Sequence, residues 1–176
     1  MRSRFVAAAA MALTALLIWG CGESKEPAAQ ATLVNAQGQT VGEANFTQTP
    51  SGVLIDLTLE NMDPGVHAIH IHEKGVCEPP DFMSAGGHFN PFGKQHGLKN
   101  PLGPHAGDLP NIEVCQNGRA TVQILAPLVT LKEGEKNSLF QAGGTSLVIH
   151  EHPDDQISQP VGGAGARIAC GPITRQ

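Results

Sequence analysis

Turn signals cut this chain into short pieces, and that punctuation limits the fold more than any other feature of the sequence. Gln37-Gly38-Gln39, Pro50-Ser51-Gly52, Asp63-Pro64-Gly65, Asn117-Gly118 and Glu133-Gly134 each end the run before them, because Gly accepts positive φ and Pro removes a backbone donor. Between two of these breaks Val53, Ile55, Leu57 and Leu59 recur at every second position, the pattern of a half-buried strand. No amphipathic helix is legible beyond the first twenty residues. Eight strands are expected, near 31–36, 41–48, 52–60, 65–72, 111–116, 119–126, 146–151 and 166–173. Asn117-Gly118 predicts a two-residue hairpin with positive φ at both central positions. Many short strands divided by Gly and Pro predict an all-β sandwich or barrel. Residues 73–110 and 152–165 interrupt that rhythm, and loops of such length in a compact domain carry function.

The N-terminus reads as a targeting signal. Arg2 and Arg4 precede an apolar run from Phe5 to Ile18, which is short for a membrane span and placed where an export signal belongs. Ile18-Trp19-Gly20-Cys21 resembles a bacterial lipoprotein cleavage box, with Trp19 an unusual occupant and Cys21 the lipidated residue. A small-residue site near Ala29 and Ala31 is the competing cut. Residues 1–20 are therefore expected to be a lipoprotein-type signal peptide, 21–30 a flexible tether and 31–176 the folded domain. The protein is expected at the periplasmic or cell-envelope face. Gly22, rather than an aspartate, follows Cys21 and favours anchoring to the outer membrane. Without residues 1–20, nine basic side chains face sixteen acidic ones, net −7 against −5 for the whole chain, which argues against a nucleic-acid partner. With Cys21 lipidated, Cys77, Cys115 and Cys170 remain. One disulfide and one spare thiol are expected, and spacing alone does not choose the pair.

The chemistry lies in the histidines. All eight fall between residues 67 and 152. On a strand, His70 and His72 project to one side while Ile69 and Ile71 point to the other. His88, His96, His105 and Asp108 follow in the first long loop, and His150 closes the strand Ser146-Leu147-Val148-Ile149-His150. Scattered surface histidines would not concentrate in this way.

The stretches GVHAIHIHEKGVCEPP, SAGGHFNPFGKQHG, HAGDLPNIEV, SLVIHEHPDD and GGAGARIACGPI resemble the copper/zinc superoxide dismutases, in family order across residues 65–173. The resemblance implies an eight-stranded Greek-key β-barrel with two functional loops. It implies one copper on His70, His72, His88 and His150, and one zinc on His88, His96, His105 and Asp108, with His88 bridging. The donor sets agree with this: four imidazoles suit Cu(II), and three nitrogens with one carboxylate suit a structural Zn(II). By the same resemblance Asp154 links a copper histidine to a zinc histidine, Cys77 pairs with Cys170, and Arg167 anchors superoxide as the substrate anion. Superoxide would become dioxygen and hydrogen peroxide as copper alternates between Cu(II) and Cu(I), with Arg167 and the proton-carrying bridge His88 as catalytic residues.

His67 is expected to be a hydrogen-bonded structural histidine, His152 a surface residue, Asp81 and Asp155 solvated charges, and Cys115 an unpaired thiol, buried in the first reading and a link between two chains in the second. The sequence departs from the animal enzymes between His150 and Arg167, which is shorter and offers no lysine; Val161 stands where those enzymes carry a threonine. Lys74, Lys94 or Lys99 could guide the substrate instead, although each reads first as a solvated loop lysine. The resemblance also admits a homodimer, whose surface the residues do not mark. A copper-buffering protein of the same fold is the alternative function, against which all seven ligands and Arg167 are present.

Overall fold

A computed structural model describes residues 29–176; the expected signal peptide, Cys21 and the tether up to residue 28 lie outside the described residues. The strands are β1 (Ala29–Asn35), β2 (Thr40–Thr49), β3 (Gly52–Leu59), β4 (Gly65–His67), β5 (Ile69–His72), β6 (Ile112–Val114), β7 (Ala120–Ala126), β8 (Ser146–His150), β9 (Arg167–Pro172) and β10 (Thr174–Arg175). The only helical turn among the described residues is a 3₁₀ turn at Met83–Ala85.

Alternation builds the sheet. In β3 the side chains of Val53, Ile55, Leu57 and Leu59 are buried while Asp56 and Thr58 are exposed, so one face packs and the other is wet. The strands pair antiparallel in the order β5-β8-β9-β1-β2-β3-β7, with β10 also on β1. β4 pairs with β6. Because β4 runs directly into β5 and β6 turns into β7, this small pair joins the two free ends of the long sheet. The result is a curled Greek-key barrel. Phe46, Ile55, Leu57, Ile69, Leu147 and Ile149 fill its interior.

Five details differ from the sequence expectation, the simplest being the short extra strand β10 beyond the expected 166–173. The predicted strand 65–72 is two strands, broken at Ala68, whose N–H donates to the His152 carbonyl at 2.9 Å and whose carbonyl accepts the His150 N–H at 2.9 Å. The chain changes partner there, from β6 to β8. The hairpin at Asn117-Gly118 is a three-residue loop: the Gly118 N–H donates to the Cys115 carbonyl, Cys115 N–H to that of Arg119, and only Gly118 has positive φ, 73°. This is a turn followed by a glycine bulge, and the Asn117 side chain accepts from the Arg119 N–H. β1 begins at Ala29, two residues inside the expected tether, paired with Phe46 and Arg175. A third long connection, residues 127–145, joins β7 to β8.

Candidate metal centre

β5 and β8 are buried on both faces. Their odd-numbered residues Ile69, Ile71, Leu147 and Ile149 enter the core, while His70, His72, Val148 and His150 face outward and are covered by the first long loop. That loop is laid on the free edge of β5 by backbone bonds: Ile71 N–H to Gly107 O, 2.9 Å, Phe89 N–H to Ile71 O, 2.8 Å, and Glu73 N–H to Gly87 O, 2.9 Å. Two-residue bridges result, His70 with Asp108 and His72 with His88, so main-chain pairing brings the loop's candidate ligands to those of the strand. A Cβ on Gly107 would overlap the Ile71 carbonyl, so only glycine permits this approach.

Five buried side-chain atoms lack a hydrogen-bond partner among the described residues: His70 Nδ1, His72 Nε2, His88 Nε2, His150 Nε2 and Ser146 Oγ. Leaving a buried polar atom unpaired costs about 1–3 kcal/mol, and four imidazole nitrogens converging without partners make a ligand set. Candidate ligand atoms of His70, His72, His88 and His150 lie within 4.8 Å of one another. The other nitrogen of each ring is held: His70 Nε2 by the Asp154 carboxylate at 2.8 Å, His72 Nδ1 by Gly86 O at 3.0 Å, His88 Nδ1 by Asp108 Oδ1 at 3.0 Å and His150 Nδ1 by Gly165 O at 3.4 Å. These partners fix which nitrogen faces inward.

The second set gathers on Asp108. Its Oδ1 lies 3.0 Å from His88 Nδ1, 3.0 Å from His96 Nδ1 and 3.3 Å from His105 Nδ1, and His105 Nδ1 is 3.5 Å from His88 Nδ1. A tetrahedral ion with ligand bonds of about 2.0 Å has edges of about 3.3 Å, so these separations fit a zinc ion. His70 also comes within ligand range of this group, but its Nε2 is taken by Asp154 and its Nδ1 faces the first set. The other Asp108 oxygen accepts the Gly97 and His105 N–H groups at 2.8 and 2.9 Å. Asp154 spans the two sets, accepting from His70 Nε2 and from His96 Nε2 at 3.0 Å, and Asn111 grips its backbone at both N–H and C=O.

Burial dominates the electrostatics of His72, His88 and His150. It lowers His72 to about 2, aided by His88; His150 to about 3, aided by His70; and His88 to about 4, against the pull of Asp108. Burial opposes protonation of His96 also, yet the carboxylates of Asp108 and Asp154 outweigh it and raise that imidazole to about 9. For both carboxylates burial is outweighed in turn. The histidines around Asp108, and His70 with His96 around Asp154, hold them below the ordinary carboxylate range.

Arg167 donates Nη1 to the Phe82 carbonyl and Nη2 to the Gly86 carbonyl, both at 2.6 Å. Gly86 O is the same atom that holds His72, so one carbonyl sets the guanidinium against the histidine cluster. Phe82, with φ 54°, plugs a small apolar cluster with Ala85, Val148 and Cys170, and Cys77 is disulfide-bonded to Cys170.

His67 is buried, with Nδ1 2.9 Å from His150 O and Nε2 2.9 Å from Asp63 O. His152, Asp81 and Asp155 are exposed. Cys115 is unpaired but exposed, contrary to the expectation of burial. Ile112 and Val114 point inward, so the residue after them points out, and the alternation alone carried that signal. The roles of Gly86, Phe82 and Asn111 were not foreseen; a backbone carbonyl or an isolated asparagine leaves no mark in a sequence.

The model of the family "Copper/zinc superoxide dismutase (SODC)" matches residues 40–173. The chain belongs to the copper/zinc superoxide dismutase family. It is 55% identical over 159 residues to superoxide dismutase [Cu-Zn] 2 of Aquifex aeolicus, covering 90% of this chain and 93% of that one. It is 48% identical over 147 residues to the Caulobacter vibrioides superoxide dismutase [Cu-Zn], covering 82% and 84%. Among solved structures, a SOD-like protein from Bacillus subtilis aligns with TM-score 0.78 at 44% identity, covering 81% of this chain and 95% of that one. The Cu/Zn superoxide dismutase from Brucella abortus aligns with TM-score 0.67 at 29% identity, covering 82% and 98%. Copper and zinc are the cofactors of this superoxide dismutase, and the two buried ligand groups fit them.

Proposed function

We propose that the enzyme dismutates superoxide at copper held by His70, His72, His88 and His150, with zinc held by His88, His96, His105 and Asp108. The observation that carries this reading is the set of four buried imidazole nitrogens without partners, placed beside an arginine fixed through the Gly86 carbonyl. Copper held there would supply one-electron redox chemistry, through which two superoxides and two protons become dioxygen and hydrogen peroxide. Arg167 supplies the fixed positive fork that draws and orients a small anion. His88 turns Nδ1 to the zinc set and Nε2 to the copper set, so Nε2 is the atom where a proton can be held and passed on. Asp154 keeps His70 and His96 in register, so the two sites keep a common geometry.

The test is metal content and superoxide decay in the purified protein, its His88→Ala variant and its Arg167→Ala variant. The expected results are one copper and one zinc with activity in the parent, loss of metal and activity in the first variant, and full metal with activity reduced at least tenfold in the second. Two metals with no activity would point to copper storage instead. The disulfide fits an oxidising compartment. We further read Cys21 as lipidated and the protein as held at the envelope face of the outer membrane. Cleavage at Ala29 or Ala31 would remove buried, paired residues of β1, which favours the cut before Cys21. Cys21→Ser should move the protein from the membrane to the soluble fraction.

A further inference from the structure

Arg167 shares its surface concavity with a charge of opposite sign. Arg167 and Asp81 line one surface concavity of about 450 Å³, with Met83, Gly165 and Ala166. The two charges are not ion-paired. The guanidinium spends Nη1 and Nη2 on the Phe82 and Gly86 carbonyls, and Asp81 Oδ1 accepts the Met83 N–H at 3.0 Å. That bond fixes the carboxylate on the turn whose next residue, Phe82, is buried and seats Arg167. No lysine lines this concavity; Lys74 lines a separate one, with Glu73 and Gln141.

We propose that Asp81 is a positioning and specificity residue that sets the charge of the substrate mouth, opposing Arg167 so that multiply charged anions are kept off the copper approach. This rests on the reading of Arg167 as the anion anchor. A carboxylate in this place repels superoxide once and a dianion twice as strongly at the same distance, so it sacrifices some encounter rate for discrimination. Burial lowers the guanidinium's pKa while Asp81 acts in the opposite sense, as a carboxylate within field range of Arg167 must.

The experiment uses the copper- and zinc-loaded protein and two equilibrium probes. Azide, a monoanion, is titrated through the visible absorption of the copper centre, and phosphate at pH 8, a dianion, through its competition with azide; superoxide decay is followed in parallel. At about 10 mM ionic strength Asp81→Asn, which keeps the Met83 bond, should bind azide about two- to fivefold more tightly. Phosphate affinity should rise by about the square of that factor, and superoxide decay should quicken by about the azide factor. All three gains should shrink toward onefold near 0.5 M salt. Asp81→Glu should retain the parent values, and Glu43→Gln, which removes the same charge from an exposed position on β2, should match the parent. Asp81→Ser gives a second neutral variant should the asparagine disturb the turn. Unchanged azide and phosphate binding in both neutral variants, or an equal change in Glu43→Gln, would overturn the proposal. Because both probes report binding, they judge Asp81 even if the parent lacks dismutase activity.

Discussion

At the scale of single residues, the site is a set of opposed proton affinities. In the metal-free protein His72, His88 and His150 stay neutral to about pH 2, 4 and 3, whereas in the unfolded chain each takes a proton below about pH 6.5. The unfolded state therefore binds more protons, and stability falls as pH drops from about 6.5. His96 runs the other way. Raised to about 9, it contributes fully below about 6.5 and loses that contribution as pH rises through 9. The depressed carboxylates Asp108 and Asp154 add stability that fades below about pH 4. Calorimetry of the metal-free protein should give a melting temperature highest near pH 6.5, with the acid side steeper because three groups act there against one. A flat profile from pH 4 to 9 would contradict this arrangement. Gly162 offers a second test. Its φ is 65°, and a Cβ there would overlap the Asp154 carboxylate, so Gly162→Ala should displace the link between His70 and His96. Copper and zinc affinity, measured by chelator competition, should fall about 10–100-fold, as in Asp154→Asn. The candidate ligands could be read because strand parity pairs His70 with His72, His88, His96, His105 and Asp108 follow in one loop, and His150 closes a strand of its own. The exposure of Cys115 follows the same parity, since Ile112 and Val114 point inward.

Secondary-structure elements explain why the ligands meet. The outer face of β5 and β8 would be open to water without the loop that pairs with β5 and is bolted to β9 through Cys77 and Cys170, 93 residues apart in sequence. Replacing both cysteines by serine should cost about 2–5 kcal/mol of stability, read as a lower melting temperature. The same change frees the loop whose carbonyls seat Arg167, so activity per bound copper should also fall. Activity per copper unchanged would mean that Phe82 and its apolar cluster hold the loop unaided. Sequence periodicity located these strands within a few residues, since alternation is a local property. It did not reveal the change of partner at Ala68, because pairing with β6 before it and β8 after it is a long-range choice. The segment 127–145 escaped notice for a related reason: its ordering contacts, such as Gln48 Oε1 accepting from Thr130 Oγ and the Leu131 N–H, come from a distant strand.

On the scale of the whole molecule, β1 holds the most partners, pairing with β2, β9 and β10. A chain starting at Gly22 should therefore fold and keep its activity, while one starting at Ala36 should be recovered unfolded or aggregated, as judged by circular dichroism and metal content. The pairing of β4 with β6 was expected only as part of a fold class, and its residues could not be named in advance.

The polarity of β1 has a consequence for how the enzyme faces its surroundings. Ala29 lies beside Arg175 and Phe46, whereas Val34 and Asn35 lie beside Cys170 and Ala169, toward Arg167. The first described strand residue and the C-terminal β10 thus share one pole, and Arg167 is displaced toward the other by about 20 Å, the rise of six strand residues. A label fused at Gln176 would sit at the pole where β1 begins and leave the surroundings of Arg167 unobstructed.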